Sequence, residues 1–317
     1  MPIPVSDALA DQGDIAAGKV ADLRRPGRYL VSSMLAGSYI GVAVVLMSAV
    51  AGPLLAATSP WTKLIEGSIF GVALTLCVFA GAELSTGNMM TSVLGLFTRR
   101  ISVGGAVGLI LGSFVGNLIG SIVFSWIVEV SGVLTAGAEP GKVAPALALV
   151  TSLVKAKTAE SVSALFFRGV LCNFLVCLAV WAASRTKSDG AKLALIWWCL
   201  LAFVASGFEH VVANMTTFSL GMMAGVKGAT LAAFAKNLLF VGLGNLVGGG
   251  LLVGAAYGFL ARSKGVVDEV EPDAPVVAAA SAVDAPQQSD AFDKAEAEAV
   301  AEEHPAEEDE KVESSKS

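Results

Sequence analysis

Six long apolar segments constrain the fold of this chain more than any other feature of its sequence. Of its 317 residues, 55% are hydrophobic and 15% are charged. A hydrocarbon core about 30 Å thick is crossed by a helix of about 20 apolar residues, so these segments predict an all-α integral membrane protein with six transmembrane helices. The predicted spans are residues 29–50, 65–97, 103–130, 163–183, 193–223 and 231–260.

Charge divides the chain into a basic membrane part and an acidic end. Residues 266–317 hold 16 of the 27 Asp and Glu residues but 3 of the 21 Lys and Arg residues, which leaves 18 basic and 11 acidic residues elsewhere. The acidic segment has almost no aromatic residues and is predicted to be a disordered tail. Residues 28–265 are predicted to form the six-helix pore domain, preceded by a surface helix within residues 1–27 on the cytoplasmic side.

The basic residues indicate the orientation, since cytoplasmic loops carry an excess of Lys and Arg. Placing both termini in the cytoplasm, in a bacterial cell membrane, collects ten basic residues on that side: Arg24, Arg25, Arg28, Arg99, Arg100, Arg185, Lys187, Lys192, Arg262 and Lys264. Five lysines then fall on the opposite side: Lys63, Lys142, Lys155, Lys157 and Lys227.

Two pairs of matching motifs indicate an internal duplication. Residues 83–89 and 209–215 both read ExxxxNM, 126 residues apart, while residues 116–120 and 244–248 both place Gly-Asn before an aliphatic pair and Gly, 128 residues apart. Each half would contain three spans, an odd number, so the second copy is predicted to be inverted relative to the first.

The ExxxxNM motifs lie inside the second and fifth spans, and each is predicted to break its helix. Backbone freed from helical pairing at membrane depth is tolerated where it is buried in protein or lines a cavity, so the two breaks predict the substrate pathway. Structural roles are expected for Glu83 and Glu209, accepting hydrogen bonds from the unpaired backbone amides, and for Asn88 and Asn214 as capping residues.

His210 is the strongest candidate for chemistry, because it is an ionisable group at predicted mid-membrane depth. With an ordinary pKa of about 6.5, a histidine can offer an anion a transient positive charge or the proton that neutralises it. Thr86 and Asn173 are predicted to donate hydrogen bonds to a passing oxyanion, and Lys157 to draw anions toward the mouth. Four apolar residues flank the breaks and are candidate constrictions: Phe70, Leu74, Leu84 and Phe203.

Other classes of protein find little support in the sequence. The four cysteines lie in apolar spans, and no paired-histidine metal site, activated nucleophile or phosphate-binding loop is present, so we expect no enzyme activity, no cofactor and no nucleic-acid partner. The expected partners are a small anion, protons and the lipid bilayer. A neutral-solute pore would also use two broken helices in inverted repeats, but it has no need of His210.

Three stretches of the second half identify a family. They read AKT at 156–158, LFF with GVLCNFLVCLAVW at 165–167 and 169–181, and IWWCLLAFVASGFEHVVANMT at 196–216. With them, the chain resembles the formate/nitrite transporter family over nearly all of its membrane part, and the nitrite branch in particular. The resemblance implies an aquaporin-like fold and a homopentamer with one pore through each protomer.

The resemblance also implies roles for individual residues. His210 would be the central pore histidine, Thr86 would lie in the pore-side loop, Lys157 and Asn173 would match polar positions of the family, and the four apolar residues would match its constrictions. One departure stands out, since the family's usual Leu-Phe-Thr is Leu84-Ser85-Thr86 here, which places a small hydroxyl, Ser85, on the pathway. The expected function is transport of a small monovalent anion, nitrite first and formate as the alternative.

Overall fold

The computed structural model describes residues 2–262, and all regular secondary structure in that range is helical. The predicted tail, residues 266–317, and the last three residues of the predicted pore domain lie outside the described residues. The helices are α1 Val5–Asp22, α2 Pro26–Ala56, α3 Thr62–Phe70, α4 Val72–Phe79, α5 Ser85–Phe97, α6 Val103–Ser131, α7 Pro145–Ala159, α8 Val162–Ser184, α9 Asp189–Ala205, α10 Val211–Met223, α11 Leu231–Leu246, a π-helical segment Val247–Ala255 and α12 Ala256–Arg262.

Five helical stretches of the described chain are long and apolar enough to cross a membrane, which supports a multi-pass membrane protein. They are Pro26–Ala56, Thr62–Phe79, Val103–Ser131, Val162–Ser184 and Leu231–Ala261. The remaining predicted span, residues 193–223, is divided between α9, which ends at Ala205, and α10, which begins at Val211. α9 has 17 residues and α10 has 13, against the about 20 apolar residues that cross the hydrocarbon core of a membrane.

Two long helix pairs make the most extensive contacts between helices, α2 against α6 and α8 against α11, which continues into the π-helical segment. Both pairs depend on glycine at the closest approach. A Cβ on Gly120 would collide with the carbonyl oxygen of Met34, and one on Gly248 with that of Val170. Small residues let membrane helices approach this closely, and the two positions are 128 residues apart, as in the repeated motif.

Helix α1 packs against α5 through buried Ala8, Leu9 and Ala16. Its start is held by Ile3 and Arg185, where each backbone carbonyl accepts a hydrogen bond from the other residue, at 2.8 Å and 2.9 Å. Two elements were not predicted from the sequence. Helix α7 is 15 residues long, too short to cross the membrane, and the glycine-rich π-helical segment has the same apolar composition as an α-helical span.

We expect Gly120→Ala to lower the free energy of unfolding by about 1–3 kcal/mol, because the added methyl group meets backbone rather than a movable side chain. Thermal unfolding of the purified protein in detergent measures this change. Gly104→Ala is the matched control, since it lies on the same helix and its Cβ would approach nothing closer than Ser102 Oγ at 3.9 Å. Equal melting temperatures for the two variants would contradict the close approach.

Candidate functional site

Two non-helical segments, residues 80–84 and 206–210, interrupt the helices at matching places. The first separates α4 from α5 and the second separates α9 from α10. Each begins with a turn at a glycine of left-handed backbone conformation, Gly81 with φ +75° and Gly207 with φ +71°, which glycine adopts without steric cost. Each ends at the first residue of a short buried helix, Ser85 or Val211.

The carboxylate of Glu83 in the first break is bound by side chains from two helices. Lys19 Nζ on α1 donates to both carboxylate oxygens at 2.7 Å, and Asn88 Nδ2 on α5 donates to Oε2 at 3.0 Å. The pair is partly buried, with side chains 22% and 17% exposed. Lys19 therefore ties the N-terminal helix to the break.

The carboxylate of Glu209 in the second break has the same set of partners. Lys157 Nζ on α7 donates to both oxygens, at 2.9 Å and 2.8 Å, and Asn214 Nδ2 on α10 donates to Oε2 at 2.6 Å. This pair is more deeply buried, with the Lys157 side chain 11% exposed and that of Glu209 6% exposed. Each break is therefore bound to a neighbouring helix by a lysine, the first to α1 through Lys19 and the second to α7 through Lys157.

Two asparagines, Asn117 on α6 and Asn245 on α11, hold the backbone of the breaks. Asn117 Oδ1 accepts from the Ser85 amide at 2.9 Å, while its Nδ2 donates to the Glu83 carbonyl at 2.8 Å. Asn245 Oδ1 accepts from the Val211 amide at 2.9 Å, while its Nδ2 donates to the Glu209 carbonyl at 3.0 Å. A neutral amide side chain can donate and accept at once. It can therefore bind both the N–H and the C=O groups of backbone that has left a helix.

These contacts correct one sequence-based expectation. Glu83 and Glu209 do not accept from the unpaired backbone amides, and Asn88 and Asn214 do not cap them; the glutamates bind ammonium groups and the asparagines donate to the glutamates. The physical reason is that a carboxylate away from water needs a countercharge more than an amide donor. The sequence signal for the true partners was the repeated Gly-Asn motif, which contains Asn117 and Asn245.

His210 is the residue before α10 and is buried, at 4% exposure. Its Nδ1 accepts a hydrogen bond from the Ala213 amide at 3.2 Å, as a helix-capping side chain. An amide N–H can only donate, so Nδ1 carries no proton in this arrangement and the ring proton lies on Nε2. Nε2 is 3.1 Å from Thr86 Oγ1. The ring therefore donates to Thr86, whose own hydroxyl hydrogen can be donated elsewhere.

Asn173 on α8 connects α5 and α11 through hydrogen bonds to their backbone. Its Nδ2 donates to the Thr86 carbonyl at 3.2 Å and to the Asn245 carbonyl at 2.7 Å. Both amide hydrogens are engaged in these bonds, and donation from Asn173 to a passing oxyanion stays a prediction. Lys157 likewise points its ammonium group at Glu209, which offsets the field that was expected to draw anions.

A cavity of about 260 Å³ leads to His210, and we call it the His210 cavity. Phe70 and Phe203 line it in an edge-to-face contact with ring centroids 5.7 Å apart, and the Phe203 ring lies 6.0 Å from the imidazole. Charged side chains also line it: Lys63, Glu66, Lys157, Arg168 and Glu209. Of these, Lys63, Glu66 and Arg168 were not among the predicted site residues.

The other predicted apolar residues, Leu74 and Leu84, are buried in the same core as Phe70 and Phe203. Ser85, the residue that departs from the family pattern, is fully buried, and its Oγ has no hydrogen-bond partner in the described chain. Within residues 2–262 no group of three or more His, Cys, Asp or Glu side chains is placed to hold a metal ion.

Apolar helices long enough to cross a membrane, two interrupted segments and a cavity lined by apolar and charged side chains and by a buried histidine are typical of a membrane transport protein. The comparisons with known proteins identify which one, since the sequence profile described as Formate/nitrite transporter matches residues 7–259. The chain belongs to the formate/nitrite transporter family. It is a family of transporters and channels rather than enzymes.

Individual relatives cover most of the chain. It is 40% identical over 249 residues to the nitrite transporter NirC of Salmonella typhimurium strain LT2, a match that covers 76% of this chain and 87% of that protein. Among solved structures, an FNT family ion channel superposes with a TM-score of 0.74 at 38% identity, covering 80% of this chain and 98% of the other. A pentameric formate channel with formate bound superposes with a TM-score of 0.64 at 27% identity, covering 75% and 98%.

We expect Lys157→Met to destabilise the protein by about 3–5 kcal/mol, because it leaves the buried Glu209 carboxylate without its countercharge. Removing both charges, in Lys157→Met with Glu209→Gln, is expected to recover a large part of the loss. Thermal unfolding of the detergent-solubilised protein measures both effects. Lys142→Met is the matched control, since the ion pair of Lys142 with Glu139 is exposed. If Lys157→Met is as stable as this control, the buried Glu209 carboxylate does not depend on Lys157 for its countercharge.

Proposed function

We propose that this chain transports a small monovalent anion, nitrite first, through a pore in each protomer. The observation that carries the proposal is the contact of His210, the last residue of the second break and part of the cavity lining, with Thr86 in the first turn of α5, just after the first break. Family membership supports anion transport, and similarity to a nitrite transporter favours nitrite.

The architecture we propose is six transmembrane helices in two inverted three-helix repeats, with the second and fifth helices broken. The support is the matched set of partners at the two breaks, a lysine, an asparagine of the ExxxxNM motif and an asparagine of the Gly-Asn motif around each glutamate. A helix pair packed through glycine in each half adds to it. The glutamates and the ExxxxNM asparagines are each 126 residues apart, the Gly-Asn asparagines 128 and the lysines 138. Unrelated segments would not be expected to repeat so many contacts.

We propose a homopentamer in the cell membrane with both termini in the cytoplasm, so that the His210 cavity faces outward. The charge distribution supports the orientation, and similarity to a pentameric channel supports the assembly. The long apolar face of α6, with exposed Leu111, Val115 and Trp126, is available to contact lipid or a neighbouring protomer.

The proposed path of the anion runs along the cavity, past Phe70 and Phe203, to Thr86 and His210. Desolvation of a small ion among these apolar rings is the main barrier. Thr86 lowers this barrier by donating its hydroxyl hydrogen to the anion. That hydrogen is available because the bond between Thr86 and His210 uses the Nε2 proton of the ring. Ser85 is proposed as a second hydroxyl beside Thr86, since its oxygen is buried without a partner.

Protonation at His210 is proposed to lower the barrier further. A second ring proton would have to enter at Nδ1, where it would displace the hydrogen bond from the Ala213 amide. The positive charge is therefore expected to form transiently, when an anion is close enough to compensate for the lost bond. The same proton can pass to the anion and neutralise it.

Two alternatives remain distinct from this proposal. Formate fits the same site, and a formate-bound channel is among the similar structures. A neutral-solute pore would share the broken helices, but it would not explain a titratable ring at the meeting point of the two breaks.

We expect purified protein in liposomes to take up nitrite faster than empty liposomes, and we expect His210→Phe to lower this uptake at least tenfold because it removes the donor to Thr86. His304→Phe, which changes the chain's other histidine, is the matched control and should transport as the unaltered protein does. No uptake above empty liposomes would exclude nitrite transport. Unchanged uptake and pH dependence in His210→Phe would exclude the proton role.

Competition separates nitrite from formate. If nitrite is the preferred substrate, unlabelled nitrite should reduce uptake of labelled formate at lower concentration than formate reduces uptake of labelled nitrite. The reverse order would make formate the main substrate and leave the anion-transport proposal in place.

A further inference from the structure

Glu66 is a buried acid of the His210 cavity for which neither the breaks nor the proposed path has a use. It lies on α3 and is 2% exposed. Its Oε2 accepts from Lys63 Nζ at 2.6 Å, while its Oε1 is buried with no hydrogen-bond partner in the described chain. A buried carboxylate oxygen without a donor is costly, so this atom requires an explanation.

The position of Glu66 relates it to the constriction. Glu66 and Phe70 are four residues apart on α3, which places them on the same face one helical turn apart, and both line the His210 cavity. Phe70 contacts Phe203, which lies beside His210. A molecule that enters from outside would therefore meet Glu66 one turn before the apolar rings.

Charge decides what Glu66 can bind. The other charged or titratable side chains that line the cavity are Lys63, Lys157, Arg168, Glu209 and His210, and α2 and α9, which pack against α3, contribute apolar side chains to it. Glu209 has donors on both oxygens, so Glu66 is the acid with unused accepting capacity. An ionised carboxylate accepts hydrogen bonds and does not donate them, and it repels an anion.

We propose that Oε1 of Glu66 is the acceptor of a subsite for the neutral form of a monobasic weak acid, which donates its hydroxyl to this oxygen. The proposal rests on the anion transport proposed above and adds a selection step to it. The anion form has no hydrogen to donate at this point, whereas the neutral acid satisfies Oε1 and then meets Phe70 and Phe203 without the desolvation cost of a charge. The subsite would thereby favour entry of the acid form from outside.

The repeat makes the step directional. At the spacing of 126 residues, Lys63 and Glu66 correspond to Asp189 and Lys192, which form the same i, i+3 pair with the charges exchanged. Their side chains are 28% exposed for Lys192 and 70% exposed for Asp189, so the second half has no buried carboxylate at the position that matches Glu66. External pH is expected to control entry more strongly than internal pH controls exit.

The test uses right-side-out membrane vesicles that contain the full-length protein, with internal pH held constant and nitrite uptake measured at external pH 5.5 and 7.5. In Glu66→Gln the side chain keeps its size, but it loses its charge and gains an N–H donor for the anion. We expect the ratio of uptake at pH 5.5 to uptake at pH 7.5 to fall about tenfold relative to the unaltered protein, which corresponds to about 1.4 kcal/mol of preference for the acid form. Glu139→Gln, at an exposed acid outside the cavity, should leave the ratio unchanged.

An unchanged ratio in Glu66→Gln, or an equal fall in uptake at both pH values, would overturn the proposal, because a purely structural or merely hydrated carboxylate predicts these results. If Glu66→Gln is not recovered as a folded assembly by size-exclusion chromatography, Glu66→Asp is measured in the same way. Its shorter side chain withdraws the oxygen, so a partial fall in the ratio supports the subsite and an unchanged ratio rejects it. Absence of nitrite uptake by the unaltered protein would instead reject the proposed function itself.

Discussion

The hydrogen bonding of backbone at membrane depth is the constraint on which the rest of this structure depends. Each break frees amides and carbonyls that the membrane interior cannot solvate. Asn117 and Asn245 satisfy both kinds of group, since each accepts from the first amide of a short helix and donates to the carbonyl of the preceding glutamate. Because these groups are satisfied by the two asparagines, His210 Nε2 and Thr86 Oγ1 are left to contact each other.

Two ion pairs connect the breaks to helices outside the predicted spans. Glu83 and Glu209 each take a lysine from a helix that was not counted among the six spans, α1 for one and α7 for the other. A carboxylate and an ammonium group at such a site are stable together and unstable apart. The pairs therefore fix two peripheral helices to the breaks, and through Asn88 and Asn214 they orient the short helices as well. Lys157 is better understood as the partner that holds Glu209 in place than as an unpaired charge at the entrance of the cavity.

The sequence predicts the long helices and the places where they are interrupted. It does not predict which side chains hold the interrupted segments, for a physical reason. Apolar length predicts the long helices, and the repeated ExxxxNM and Gly-Asn motifs predict where the chain departs from helical structure. The motifs do not show which groups form hydrogen bonds with each other. The sequence therefore predicts that the glutamates accept from the free backbone amides, whereas Asn117 and Asn245 accept from them in the structure. Lys19 and Glu66 carry no local signal at all, because their significance comes from partners 64 residues away or from a cavity that forms after folding.

His210 shows how one side chain can serve structure and chemistry through different atoms. Nδ1 caps α10 and Nε2 reaches Thr86 in the other half, so the first bond fixes the ring proton on the atom that faces the proposed pathway. A charge on the ring would break the cap, which means that the fold itself resists a permanently charged histidine. That resistance suits the anion pathway proposed above, because a fixed positive charge there would bind an anion and retain it. In the proposed mechanism a ring that is neutral at rest instead lowers the barrier when an anion arrives.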